Sequence, residues 1–264
     1  MRTLRVCFNV PVDSVLSYED ARTTVEQQAT IAAETKPAVE RVALLASRGR
    51  VLADPLLADR DLPPFDRSTR DGYAVRSSDV ARVPVTLKCT ASVRAGDLFE
   101  AEIGPGECVE IMTGACVPGG ADAVVMVEYS RRDGNSVEIL REVRPEENIV
   151  RRGSEAQQRE QLVPAGVRIS FPQIAVAASI GTTELAVYRK PRIAVLSTGD
   201  EVVPIDATPG AVQIRNSNAF SLAAQIADAG GEPVLLPIAP DEPVRLRELI
   251  EQGLSHDLLL LSGG

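Results

Sequence analysis

Residues 191–201 read P-R-I-A-V-L-S-T-G-D-E, and this stretch decides the fold. Its apolar run, Ile193 to Leu196, is too short for an amphipathic helix and is bounded by a proline and a Ser-Thr-Gly turn, the pattern of a buried strand. Downstream the sequence alternates. A loop over 197–216 leads to a helix from Ser217 to Ala229, stopped by Gly230-Gly231, then a strand from Pro233 to Ile238. A helix from Asp241 to Glu251 and a strand from Asp257 to Leu261 follow. This βαβαβ order predicts a parallel sheet wound right-handed. Open sheets of this kind bind ligands beyond the carboxyl ends of their strands. Thr198, Gly199 and Asp200 follow the first strand, Asp241 the second, and Ser262-Gly263-Gly264 the third. Each has an ordinary reading as turn, helix cap or bend, but their shared rim makes a ligand crevice the most economical account. Three strands and two crossover helices are expected not to cover both faces of such a sheet, and a strand ending in S-G-G normally feeds a helix whose amides cradle an anion. The sequence is therefore expected to be a piece of a longer protein.

Upstream the texture differs. Ser17 opens S-Y-E-D, a capping-box-like start for a helix through about Ile31, and a further helical turn or two is expected over Val39 to Ser47. Val51 to Leu57 reads as extended. From about Ala74 to Val143 the pattern is short strands with turns: Val83 to Val93, Cys108 to Met112, Ala123 to Tyr129, and Val137 to Arg141 after Asp133-Gly134-Asn135. This predicts a small all-β module inserted into another domain. A short strand pair near Leu162 to Ile169 then precedes a helix with Ser170 as N-cap, Pro172 in its first turn and Gly181 as its stop.

Composition narrows the function. The 264 residues carry 28 Lys plus Arg against 37 Asp plus Glu, a net charge of −9, which argues against a duplex nucleic-acid binder because those need a clustered basic excess. There is no apolar run near the ~20 residues that cross a bilayer and no signal-peptide core over Met1 to Val12, so the protein is expected in the cytoplasm. The four cysteines form no C-x-x-C pair and the only histidine is His256, which disfavours zinc and a Ser-His-Asp triad. Three lysines, Lys36, Lys88 and Lys190, leave few candidates for Schiff-base chemistry. Carboxylates, hydroxyls, arginines and backbone amides remain, a set suited to metal-assisted or phosphate-handling chemistry.

Two upstream loops carry such groups. D-R-S-T-R-D-G-Y-A-V at 66–75 places Asp66 and Asp71 five residues apart, although Asx turns alone would explain both. I-M-T-G-A-C-V-P-G-G-A-D at 111–122 leaves a strand through Thr113 into a glycine-rich loop, which suits amides approaching an anion or simply a wide hairpin. Arg151-Arg152 could clamp a phosphate, or pair with Glu146, Glu147 and Glu155. Neither a Walker P-loop nor a G-x-G-x-x-G fingerprint occurs.

These loops, with N-I-x-R-R-G at 148–153, P-R-I-A-V-L-S-T-G-D-E at 191–201 and D-L-L-L-L-S-G-G at 257–264, resemble the molybdopterin molybdenumtransferases, the family of bacterial MoeA and the gephyrin E domain. Five motifs in one order, from about Leu16 to the last residue, make the resemblance specific. It implies a multidomain α/β fold: an elongated α+β first domain (16–57 and 146–188), an inserted β domain (58–145) and an incomplete α/β molybdopterin-binding domain with a parallel sheet (189–264). It implies insertion of molybdenum from molybdate into adenylylated molybdopterin with release of AMP, assisted by Mg2+. The positions carried over are Asp71, Thr113, Glu184, Asp200 and Asp241 as catalytic, Asp200 and Asp241 also as metal ligands. Arg152, Glu155, Thr198, Gly199, Ser262, Gly263 and Gly264 are implied to bind substrate. A homodimer is implied too, with Asp71 and Thr113 of one subunit serving Asp200 and Asp241 of the other.

The chain departs from the family pattern in places. It has D-R-S-T-R-D where relatives usually show D-N-S-A-M-D, which adds Arg67 and Arg70, and Gly153-Ser154-Glu155 where relatives carry G-E-D. The family's V-S-V-G continuation and a lysine-bearing segment are expected beyond Gly264. Two other readings compete: a non-catalytic scaffold or molybdopterin-binding module of the same fold, and a molybdopterin adenylyltransferase, which shares only the S-G-G-bearing domain.

Overall fold

The protein is represented by a computed structural model that describes residues 16–33, 37–97 and 99–263. The expectations for residues 1–15 and for Gly264 lie outside the described residues. In chain order the elements are α1 (Tyr18–Ala33), β1 (Val39–Ala43), β2 (Leu56–Leu57), β3 (Arg67–Ser68), β4 (Gly72–Val75), β5 (Val85–Val93), β6 (Glu107–Ile111) and β7 (Ala123–Met126). Then come β8 (Ser130–Asp133), β9 (Ser136–Ile139), β10 (Ile149–Val150), β11 (Gln161–Val163), α2 (Phe171–Ser179), β12 (Glu184–Tyr188) and β13 (Arg192–Ser197). The last are β14 (Val202–Val203), β15 (Ile214–Arg215), α3 (Ser217–Ala229), β16 (Glu232–Leu235), α4 (Pro243–Gly253) and β17 (Leu258–Ser262). The described residues form two compact units, one from within residues 1–54, 165–175 and 182–264, the other from within residues 55–164 and 176–181.

In the first unit β13 is the centre of a three-stranded parallel sheet, ordered β16-β13-β17, as the alternation predicts. Successive side chains of a strand face opposite ways. Ala194 and Leu196 therefore pack with Leu249 of α4 on one face, and Ile193 and Val195 with Ala219 and Ile226 of α3 on the other. Both faces thus carry a helix, which corrects the expectation of an uncovered face, while Leu258 and Leu261 of β17 stay 53% and 57% exposed. Loop 197–216 is not plain coil, since β14 and β15 pair within it in parallel. Helix α4 starts at Pro243 with Glu242 as its N-cap, two residues later than expected, because proline is preorganised for the first helical position.

The same unit contains β1 paired antiparallel with β12, Val39 opposite Tyr188 and Ala43 opposite Glu184. The helix expected over Val39 to Ser47 is thus a strand followed by one 3₁₀ turn, Leu44–Ser47. In α1 the N-cap half of the expected capping-box-like start is present, with Asp20 N–H donating to Ser17 Oγ at 3.1 Å, while the Asp20 carboxylate accepts from the Ser17 hydroxyl at 2.8 Å. No helix among the described residues is long and apolar enough to cross a membrane.

The second unit is built on a six-stranded sheet, ordered β7-β4-β6-β5-β9-β8, antiparallel except for the β5–β6 pair. It is apolar on both faces. Tyr73 and Val75 of β4 join Cys89, Cys108, Val125 and Ile139 in one cluster, whereas Ala74 joins Val109, Ile111 and Val124 in another. Gly72 is required where β4 meets β7, because a Cβ there would sit 1.9 Å from the Val125 carbonyl oxygen. The expected strand over Ala123 to Tyr129 ends at Met126 and gives way to a 3₁₀ turn. The two strands expected near Leu162 to Ile169 do not pair with each other: β11 pairs with β2, and in the first unit Arg168 bridges Val51.

Candidate functional site

Two clusters of polar groups stand out, one in each unit. In the second unit the loop of residues 66–71 is held on both sides by backbone hydrogen bonds. On one side Ser68 N–H donates to Ala115 O and Val117 N–H to Asp66 O; on the other Thr69 N–H donates to Asn148 O and β3 pairs with β10. This clamping carries Asp71 to the start of the Thr113 loop. Asp71 Oδ1 accepts from the Thr113 amide and from Thr113 Oγ1, each at 2.6 Å. The Thr113 hydroxyl and then its amide hold the Asp71 carboxyl below the usual carboxylate range, because both favour the charged form.

Beside that loop, carboxylates and arginines interlock. Arg151 Nη1 reaches Asp66 at 2.5 Å and its Nη2 reaches Glu146 at 2.9 Å, while Arg152 Nε donates to Asp61 at 2.8 Å. Glu155 Oε1 accepts from Arg67 Nη2 at 2.8 Å. Burial pushes against ionisation of Asp66, yet the Arg152 amide and the Arg151 guanidinium outweigh it and keep its pKa low. Asp61 is lowered by the Gln158 amide first and by Arg152 second. The sequence-predicted Asp71 and Thr113 therefore touch, and Arg152 and Glu155 are each ion-paired nearby in the same unit. Asp66 is one of the two loop carboxylates that the sequence marks, whereas Asp61 is not, since nothing local marks an acid whose partner, Arg152, is 91 residues away.

In the first unit the carboxyl ends of β13, β16 and β17 meet. Thr198 N–H donates to Ser262 O at 3.0 Å and Gly199 N–H to Ala239 O at 3.1 Å. The approach is close enough that a Cβ on Gly263 would lie 2.0 Å from Thr198 Oγ1. Asp241 N–H donates to Asp200 Oδ1 at 3.1 Å, so the two rim acids come together. Asp241 is not the helix cap that the ordinary reading allowed; Glu242 is. Gly199 has φ of +127°, and a Cβ there would lie 2.3 Å from Glu201 Oε2, which puts a third carboxylate over the turn. Glu201 stands in the quoted T-G-D-E run, where its acidic side chain beside Asp200 is the signal that the sequence offers. Ser197 Oγ donates to Asn216 Oδ1 at 2.9 Å, and Asn216 in turn caps α3. An open crevice of about 800 Å³ begins at Gly199 and Asp200 and continues between Pro204, Ile205, Phe220, Leu235 and Pro240. Two acids, Asp200 and Asp206, stand in a lining that is otherwise mostly apolar, the arrangement of a small-molecule site.

Glu184 stands apart from both pairs. It opens β12 opposite Ala43, with its carboxylate 4.0 Å from Arg41 Nε. Among the described residues no group of three or more His, Cys, Asp or Glu side chains is arranged to hold a metal ion. The Asp200–Asp241 pair nevertheless fits a hard cation that keeps most of its waters and takes one or two carboxylates plus a substrate phosphate, as magnesium does.

Comparison with known proteins places these clusters in context. Residues 16–181 match the MoeA N-terminal region, domains I and II, and residues 194–264 match a probable molybdopterin binding domain. A molybdopterin molybdenumtransferase of Nostoc is 39% identical over 230 residues, covering 85% of this chain and 53% of that protein. Its counterpart in Bacillus subtilis is 36% identical over 234 residues, covering 85% and 54%. Two solved structures of molybdopterin biosynthesis MoeA proteins from Pyrococcus horikoshii superpose with a TM-score of 0.80 each, at 35% and 29% identity, over 91% and 86% of this chain and 63% and 62% of theirs. The chain spans about half the length of the curated relatives it matches.

Proposed function

This chain belongs to the MoeA family, and from that premise we propose that its protein is a molybdopterin molybdenumtransferase of molybdenum cofactor biosynthesis. In this reading it takes molybdate and adenylylated molybdopterin, inserts the metal and releases AMP, acting in the cytoplasm as a homodimer. The three-part division into residues 16–57 with 146–188, 58–145 and 189–264 belongs to the same proposal. The observation that supports it most is that Asp200, which lines the crevice, accepts a hydrogen bond of 3.1 Å from the amide of Asp241, the residue after the lining residue Pro240.

The chain's own groups divide the work. Asp241 uses its amide to fix Asp200, which leaves the Asp241 carboxylate and the second oxygen of Asp200 for a cation. Bound there, Mg2+ would offset charge on the phosphate of the adenylylated substrate. The Thr198 and Gly199 amides are spent on Ser262 O and Ala239 O, so Thr198 would meet the anionic part of the substrate through its hydroxyl, with Gly199 allowing close approach and the Ser262-Gly263-Gly264 segment lying opposite. Asp71, kept ionised by Thr113, is a fixed negative group able to accept a proton or a hydrogen bond from a substrate hydroxyl or thiol. Arg152 is tied to Asp61 through Nε only, so its outer nitrogens could meet a phosphate, and Glu155 adds an acceptor nearby. Glu184 is retained as a catalytic candidate of the same proposal.

The test is charge removal without change of shape: Asp71→Asn, Asp200→Asn and Asp241→Asn in the full-length protein. Each should cut cofactor formation while leaving the melting temperature near that of the parent. Undiminished cofactor formation in all three would sink the proposal.

A further inference from the structure

Asp206 is the second acid lining the crevice, and among the described residues its carboxylate meets no cation. We propose that Asp206 is a specificity-determining residue that reads the paired N–H donors of a 2-amino-4-oxo ring, the edge that a pterin presents and adenine lacks. The inference rests on the transferase reading above and assigns the ring end of its substrate.

The backbone around Asp206 is fixed. Val202 pairs with Ile214 and Val203 with Arg215 at the base of the 204–213 segment, and Ala207 N–H donates to Pro204 O at 3.1 Å, which places Asp206 inside a tight turn. Arg215 is the only basic residue of the 197–216 loop, and its Nε donates to Ala207 O at 3.1 Å instead of meeting Asp206. The carboxylate is therefore left for a ligand.

The lining beside it suits a flat ring. Phe220 belongs to α3 but to neither core cluster of the parallel sheet, and it lines the crevice with Ile205, Leu235 and Pro237. Such walls offer a cation no oxygen, and they favour a ring with apolar faces and a polar edge. An ionised carboxylate only accepts hydrogen bonds, through two oxygens. Two N–H groups side by side satisfy both, as a guanidinium does, and the 2-amino-4-oxo edge offers that pair. Adenine offers one amino group beside a ring nitrogen that is itself an acceptor, which would repel the second oxygen. Asn216 adds a donor to the lining. Its Oδ1 already accepts from Ser197 Oγ and from the Ala219 amide, which leaves Nδ2 for the ring carbonyl. The phosphate end of the substrate then lies toward Asp200 and Asp241.

The experiment titrates the full-length protein calorimetrically with 6-hydroxymethylpterin and with AMP, comparing the parent with Asp206→Asn and Phe220→Leu. Asp206→Asn keeps the shape but turns one acceptor into a donor, so pterin affinity should fall about tenfold while AMP affinity and melting temperature hold. Phe220→Leu should weaken the pterin about threefold through lost ring packing. In turnover, Asp206→Asn should raise KM for adenylylated molybdopterin about tenfold with kcat retained, as when binding common to ground and transition states is lost. Pterin binding that is absent or ignores Asp206, or AMP binding that falls in its place, overturns the ring assignment while the transferase reading stands. A parent that binds the pterin through Asp206 and forms no cofactor bears out the ring assignment and overturns the transferase reading.

Discussion

Asp71 and Thr113 are joined twice, since one carboxylate oxygen accepts both the amide and the hydroxyl of the threonine at 2.6 Å. The carboxylate therefore has a fixed direction and one oxygen to spare. That spare oxygen is the group with which Asp71 would meet substrate.

Thr113→Val tests the hydroxyl alone, because valine keeps the shape and the backbone donor. Asp71 should then titrate closer to the ordinary carboxylate value, visible as an upward shift in its NMR pH titration. The sign for stability follows from the depressed folded value. Asp71 contributes above the unfolded pKa near 4 and loses that contribution as pH falls through its lower folded pKa, so the acid limb of stability should move to higher pH in the variant. Loosening the carboxylate should also slow cofactor formation by ~10- to 100-fold, the scale of a misplaced reacting group. An unmoved Asp71 titration would show that the amide alone sets its charge.

Gly72→Ala is expected to be harmful for a reason unconnected with charge. Its Cβ would stand 1.9 Å from the Val125 carbonyl oxygen, backbone that cannot give way without parting β4 from β7. The loss should be about 3 kcal/mol, read as a lower urea midpoint. A midpoint equal to the parent's would mean that the two strands do not approach so closely.

Cys108 provides the alkaline counterpart. Burial, with the neighbouring Cys89 second, pushes its thiol up to about 12. The folded protein keeps this proton at a pH where the unfolded chain has lost it. The contribution of Cys108 is thus whole below about pH 9 and is lost as pH rises to about 12. Cys108→Ala should flatten the fall in stability over that window, and at pH 8 the native thiol should be alkylated more slowly than half-buried Cys116, whose own thiol burial also raises. A fall of unchanged slope would exclude Cys108 as its source.

Much of the parallel unit was legible because its signals are local. An apolar run, a turn, a capped helix and Gly230 in the left-handed conformation at the end of α3 follow one another within 40 residues. The meeting of Asp200 and Asp241 was legible for the same reason, as both follow strands of one parallel sheet. The failures are non-local. V-E-R-V-A suits a helix by its apolar spacing and becomes a strand only because residues 184–188 supply its partner. The strand at 161–163 was visible, but its pairing with Leu56–Leu57 was not. The Arg67–Glu155 contact was invisible for the same reason: each residue looked like a separate departure until the fold brought them together.

The pairing of β1 with β12 also bears on how the chain is made. A ribosome delivers Val39–Ala43 about 140 residues before Glu184–Tyr188, which at ~5–20 residues per second is a wait on the order of ten seconds. The six-stranded sheet between them needs no residue outside 72–139 for its ladders, so it can close while translation continues. During that interval β1 lacks the strand it pairs with in the folded chain and stays an open edge, and a slower codon run before residue 184 would lengthen the exposure.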